Sequence, residues 1–143
     1  MPRPDLGEAP ALFRALHAAM RDGLVASCHD LSEGGLAVAA AEMAFAGDLG
    51  LELDLAALPF DQGGPGYDTD ATKLFSESCT RFLVEVEPAS CAAFETRMQG
   101  LDCAALGTVR SEPRLVIRGA GAQTRIDLPT DALRRAHQGG FAG

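Results

Sequence analysis

The sequence contains no tryptophan and one tyrosine, and its 12 basic residues are outnumbered by 20 acidic ones, for a net charge of −8. With so few aromatic residues, the core has to be built from aliphatic side chains and alanine. A chain this acidic repels a phosphate backbone unless it carries a local basic patch. The close basic pair Arg134-Arg135 lies in a predicted terminal helix and is interpreted as surface. The sequence therefore predicts no nucleic-acid partner.

Long hydrophobic runs are also lacking. No stretch approaches the ~18 consecutive apolar residues of a membrane-spanning helix. Residues 1–8 contain no apolar segment of the kind found in a secretory signal. We therefore expect a cytoplasmic protein without a membrane partner.

The cysteines form no C-x-x-C pair, which disfavours a zinc site, and no metal site is predicted. Three of them have apolar neighbours, which is typical of reduced, buried thiols in a cytosolic protein. The four positions are Cys28, Cys79, Cys91 and Cys103.

What the sequence does contain suffices for one folded domain. Its 143 residues are 47% hydrophobic, and we expect a single domain over residues 1–143. Apolar periodicity predicts helices over residues 10–22, 34–46, 88–99 and 129–137. It predicts strands over residues 24–28, 49–55, 81–86, 104–109, 114–118 and 123–128. Residues 59–72 are predicted to form a loop, whose glycine-rich part at 62–67 we expect to be mobile.

The order of these elements predicts the fold class. Helices alternate with strands in the first half, and a meander follows, so we expect an α/β (α+β) fold. Its mixed β-sheet should be packed with helices. No internal repeat and no second domain are evident.

The segment richest in chemistry is residues 27–36, which read Ser-Cys-His-Asp-Leu-Ser-Glu-Gly-Gly-Leu. It leads from a predicted strand into a predicted helix, a place where free backbone amides and the helix dipole favour an anionic ligand. A histidine can donate a hydrogen bond or move a proton, and the two carboxylates can hold Mg²⁺ beside a nucleotide. The candidate ligand or helix-start residues are His29, Asp30, Ser32, Glu33, Gly34 and Gly35.

A structural interpretation of the same segment stays open. Asp30 and Glu33 have the spacing of a capping box, and Ser32 is a natural N-cap residue. Gly34 and Gly35 would then serve close packing of the helix against the sheet. Two carboxylates also oppose a bare phosphate.

A family resemblance strengthens the first interpretation. Residues 27–44 closely resemble the hallmark segment of the C-terminal domain of the aminoimidazole ribonucleotide synthetase superfamily. Residues 74–84, Leu-Phe-Ser-Glu-Ser-Cys-Thr-Arg-Phe-Leu-Val, are similar to the phosphoribosylformylglycinamidine synthases within it, as are residues 106–109, Leu-Gly-Thr-Val. The resemblance extends from about Ala11 to His137.

The resemblance implies a fold of the aminoimidazole ribonucleotide synthetase C-terminal-domain type, partly like a ferredoxin fold. It also implies an amidoligase of purine biosynthesis that uses ATP, Mg²⁺ and ammonia from a glutamine amidotransferase subunit. In the family such a domain follows an ATP-binding domain in the same polypeptide, and the pair occurs twice. We therefore expect an excised domain or a split-gene product that is inactive alone.

A second candidate segment is implied by the family's Glu-Ser-Gln triple, which binds the ribonucleotide substrate in the first repeat. Glu77 and Ser78 match it, but Cys79 stands in the place of glutamine, and a thiol lacks the donors and acceptor of an amide. The departure favours the second, mainly structural repeat. Alternatively, Glu77 simply pairs with Arg81.

Two other functions remain open at this point. One is the C-terminal domain of a thiamine-monophosphate kinase or of a hydrogenase-maturation relative. The other is a non-catalytic assembly module that has kept the fold.

Overall fold

The computed structural model describes residue 7, residues 9–58 and residues 69–139. The predicted mobile loop at residues 62–67 lies outside the described residues. The helices are α1 (Ala9–Arg21), α2 (Gly35–Gly47), α3 (Asp70–Phe75), α4 (Cys91–Arg97) and α5 (Thr130–Gly139). The strands are β1 (Ser27–Asp30), β2 (Gly50–Asp54), β3 (Phe82–Glu85), β4 (Gly107–Arg110), β5 (Arg114–Arg118) and β6 (Thr124–Pro129).

The described strands form two sheets. A four-stranded mixed sheet has the order β4-β2-β5-β6, in which β2 and β5 run parallel and the other pairs run antiparallel. β1 and β3 form a separate two-stranded antiparallel sheet. The predicted α/β class, the mixed sheet and the hairpin of β5 and β6 are confirmed. The division into two sheets was not predicted, because pairing between distant strands leaves no local mark in the sequence.

Each sheet has its own apolar cluster. On the four-stranded sheet, the small residues of α2 let its backbone approach β2 and β5, and Leu36, Leu115 and Ile117 are almost fully buried. On the two-stranded sheet, α1 and α4 pack through Leu16 and Phe94. α2 therefore lies at the centre of the larger cluster, and its first turn marks the candidate site.

Three local expectations are wrong. β1 continues through His29 and Asp30, beyond the predicted strand end at residue 28, because both residues pair with β3. α3 begins at Asp70, inside the stretch predicted as loop. Burial of three cysteines is also wrong, since Cys79, Cys91 and Cys103 are exposed and Cys28 is half-buried; all four are free thiols.

No helix within the described ranges combines the length and the apolar content that crossing a membrane requires.

Candidate functional site

The first turn of α2 begins with two glycines in the left-handed region, Gly34 at φ +71° and Gly35 at φ +64°. Side chains other than glycine adopt this conformation at a cost. The chain leaves β1 at Asp30, buries Leu31, and turns sharply through the glycine pair into the helix. The backbone conformation therefore favours glycine at both positions, whether or not a ligand binds.

The two motif segments of the sequence meet at this turn. The N–H of Gly34 donates a hydrogen bond to Oε1 of Glu77 over 2.9 Å. A Cβ atom on Gly35 would lie 2.8 Å from the carbonyl oxygen of Leu74 and 2.9 Å from that of Ser76. Residues 74–77 thus pack directly on the helix start, and only glycine leaves them room. We call the Gly34–Glu77 hydrogen bond, with the packing of Gly35, the helix-start contact.

The predicted side-chain cap is wrong. The N-cap of α2 is Gly34, with no side-chain capping bond, so neither the Ser32 cap nor the Asp30–Glu33 capping box forms. A hydrogen bond from the Ser32 side chain instead lowers the pKa of Asp30 below its usual value. Glu33 is exposed. The acceptor for the helix amide comes from a distant segment, where sequence spacing could not reveal it.

His29 is directed away from the helix start. Its Nε2 lies 2.7 Å from Oε2 of Glu42, and its Nδ1 lies 2.7 Å from the carbonyl oxygen of Asp30. Both nitrogens donate only in the protonated ring, and the Asp30 carbonyl, followed by Glu42, raises the pKa of His29 against the opposing effect of burial. The side chain is 32% exposed and joins β1 to the middle of α2.

Glu42 extends this link to α5, since its Oε1 lies 3.4 Å from Nδ1 of His137. Sequence reasoning missed Glu42 as a partner of His29. A signal was present, because Glu42 is the one charged residue of an otherwise apolar helix, Gly35–Gly47. Such a residue rarely persists on an apolar helix without a polar partner.

Ser78 and Arg81 form a separate contact. Nη1 of Arg81 donates to Oγ of Ser78 over 3.0 Å and, more weakly, to the carbonyl oxygen of Ser76 over 3.4 Å. The alternative of a Glu77–Arg81 pair is wrong, since the Glu77 carboxylate accepts from Gly34 instead. The structure therefore brings Gly34, Gly35 and Glu77 together and places Ser78 beside them, but it does not bring His29 into the group.

The sequence pattern of the family described as "AIR synthase related protein, C-terminal domain" matches residues 2–120 of the chain. The phosphoribosylformylglycinamidine synthase subunit PurL of Limosilactobacillus fermentum is 40% identical over 114 residues, which are 80% of this chain and 14% of the relative. The same subunit of Deinococcus radiodurans is 35% identical over 136 residues, which are 95% of this chain and 17% of the relative. The chain thus spans only a small part of these relatives.

Solved structures share the fold. PurL of Thermotoga maritima complexed with FGAR superposes with a TM-score of 0.80 at 21% identity, over 93% of this chain and 22% of that one. HypE of E. coli, a hydrogenase maturation protein, superposes with a TM-score of 0.69 at 23% identity, over 82% of this chain and 40% of that one. Because the family pattern spans most of the sequence and the fold agrees, this chain belongs to the AIR synthase related proteins, as their C-terminal domain.

Proposed function

We propose that the chain is a C-terminal domain of a phosphoribosylformylglycinamidine synthase. The observation that carries the proposal is the 35% identity to the Deinococcus radiodurans PurL subunit over 95% of the chain. In the whole enzyme, formylglycinamide ribonucleotide is converted to the amidine with ATP, Mg²⁺ and ammonia that a glutamine amidotransferase subunit supplies. The reaction belongs to purine biosynthesis in the cytoplasm.

The helix start does not fit the phosphate groups of ATP. The Gly34 amide, which would face a phosphate, is already paired with the Glu77 carboxylate, and Asp30 and Glu33 add negative charge nearby. Because like charges repel, these carboxylates disfavour a phosphate at the helix start. ATP and Mg²⁺ are therefore assigned to the ATP-binding domains of the same polypeptide, which are the expected partners of this chain.

The role left to the helix start is structural positioning. Glu77 is exposed between the half-buried Ser76 and Ser78, and its carboxylate fixes this segment against the first turn of α2. Glu77 and Ser78 then form a preorganised edge that faces the rest of the enzyme. In this proposal Gly34 and Gly35 support that edge and do not react.

A hydrogenase-maturation or thiamine-monophosphate kinase domain is the weaker alternative. The HypE structure matches less of the chain and at a lower TM-score than PurL of Thermotoga maritima, and at such identities the likeness extends to the fold alone.

A domain exchange tests the proposal. This chain replaces the matching 17% of the Deinococcus radiodurans subunit, and the chimera is expressed in a purine auxotroph that lacks the synthase. We expect growth without added purine, and no growth from the chain expressed alone. A chimera that is stably folded, assembles with its partners and still leaves the cells purine-dependent would contradict the proposal. A chimera carrying Arg14→Gln, a change on the exposed side of α1, controls for surface substitution.

A further inference from the structure

Arg81 occupies an unusual place for an arginine of this protein. It immediately precedes β3, and its carbonyl oxygen accepts a hydrogen bond from the N–H of Leu31 over 3.0 Å. The backbone of Arg81 is thereby attached to the chain that leads from β1 into α2. The side chain is half-buried, and its guanidinium lies against residues 76–78.

The guanidinium of Arg81 has no carboxylate partner among the described residues. Its Nη2 is buried without a hydrogen-bond partner in the same part of the chain, and burial lowers the pKa of the guanidinium. Other arginines do form ion pairs, namely Arg97, Arg110, Arg114, Arg118, Arg125, Arg134 and Arg135. Desolvation of a half-buried cation without a counter-charge is unfavourable, and the hydrogen bonds of Nη1 to Ser76 and Ser78 offset part of that cost.

Those contacts hold the two residues that flank Glu77 in the sequence. Nη1 of Arg81 binds Ser78 on one side of Glu77 and the carbonyl of Ser76 on the other. With the residues before and after it fixed, the side chain of Glu77 is held towards Gly34. Thr80, in the left-handed region at φ +62°, makes the sharp turn that folds Arg81 back onto this segment.

From this geometry we propose that Arg81 is the positioning residue of the helix-start contact. Its guanidinium holds residues 76–78 so that Glu77 reaches the Gly34 amide. The inference rests on the proposed function, in which Glu77 and Ser78 form the edge that faces the rest of the enzyme. Its test uses the isolated chain and needs no activity.

The experiment measures hydrogen exchange of the Gly34 amide by NMR in variants of the 143-residue chain. Glu77→Ala removes the acceptor, so the exchange rate of the Gly34 amide in this variant is the reference value for a broken contact. We expect Arg81→Met, which keeps the apolar stem but no donor, to speed exchange of this amide by about ten-fold, as for the loss of one bond to a charged group. Arg81→Lys should have an intermediate effect, because a single ammonium cannot replace the planar fork.

Two controls separate positioning from general loosening. The Ile117 amide, in the core of the four-stranded sheet, should exchange at the wild-type rate in every variant, and Arg14→Met on α1 should leave Gly34 unchanged. If Arg81→Met fails to fold, Ser78→Ala decides, since it removes one acceptor of Arg81 and should speed Gly34 exchange by about three-fold. Wild-type exchange at Gly34 in the deciding variant overturns the inference. An inactive chimera would instead contradict the proposed function and leave this result untouched.

Discussion

Single glycines set the tightest constraints at the start of α2. Gly35 combines a left-handed backbone with direct contact to the main chain of residues 74–76, which cannot move away as a side chain could. At Gly34 a Cβ would meet the side chain of Val38 at 2.2 Å, a neighbour with some freedom to shift. The two glycines are therefore adjacent in sequence but unequal in what they tolerate.

Gly35→Ala should lower the free energy of unfolding by about 2–4 kcal/mol, the sum of a left-handed alanine and a forced contact with backbone. Gly23→Ala is the matched control, because Gly23 has φ +72° but no atom within 4 Å of its Cβ position. It should lower the same free energy by about 1 kcal/mol. Urea denaturation of both variants measures the difference, and equal losses would show that the packing against residues 74–76 contributes nothing.

His29 should make stability depend on pH. Its pKa is raised in the folded chain by the Asp30 carbonyl and Glu42, so the folded state holds the proton more tightly than the unfolded state does. This contribution is fully present below the unfolded pKa of about 6.5 and is lost as the pH rises through the folded pKa. The stability difference between the wild type and His29→Gln should therefore be larger at about pH 6 than at about pH 9.

Urea denaturation at both pH values measures this difference, with His17→Gln on the exposed face of α1 as the control. A difference for His29→Gln that stays constant or grows with pH would contradict the charged His29–Glu42 interaction.

Among the elements, α3 links the segment at residues 74–77 to the hairpin of β5 and β6. Asp70, at its start, accepts hydrogen bonds from the Ala120 amide at 3.2 Å and from Nε of Arg125 at 2.5 Å. A Cβ on Gly119 would lie 2.1 Å from Oδ2 of Asp70. The other end of α3 leads into the segment that packs on Gly35. A helix of six residues is thus held at both ends by tertiary contacts in addition to its local bonds, which include the Thr69 side chain accepting from the Thr72 amide.

Asp70→Asn should lower the free energy of unfolding by about 1 kcal/mol or more, because the bond to the Arg125 guanidinium loses its charge. The hydrogen bond from Arg125 also lowers the pKa of Asp70, so the loss applies at neutral pH, where the wild-type carboxylate is ionised. Asp131→Asn, which removes an exposed i,i+4 pair with Arg135, should change stability little. Thermal unfolding compares the two, and similar shifts in Tm would argue against a special role for Asp70.

At the scale of the whole molecule, the chain spans 14–17% of the length of the two PurL relatives. We therefore predict that the purified chain alone shows no ATP- and ammonia-dependent turnover of formylglycinamide ribonucleotide above buffer controls. The measurement is amidine formation with ammonium salt as the nitrogen source. Turnover by the chain alone would contradict the assignment of ATP to other domains.

The sequence alone determined the class, most of the elements and the family. Those features depend on local periodicity and on two contiguous motifs, as with β5, which was predicted as residues 114–118 and is Arg114–Arg118. The tertiary structure decided which residues are hydrogen-bond partners, because bonds between distant residues leave no trace in the spacing of the sequence. The Gly34 amide is paired by Glu77 rather than Ser32, and His29 is turned to Glu42. The pairing of β1 with β3 is likewise a contact between distant parts of the chain. It places Arg81 beside residues 76–78.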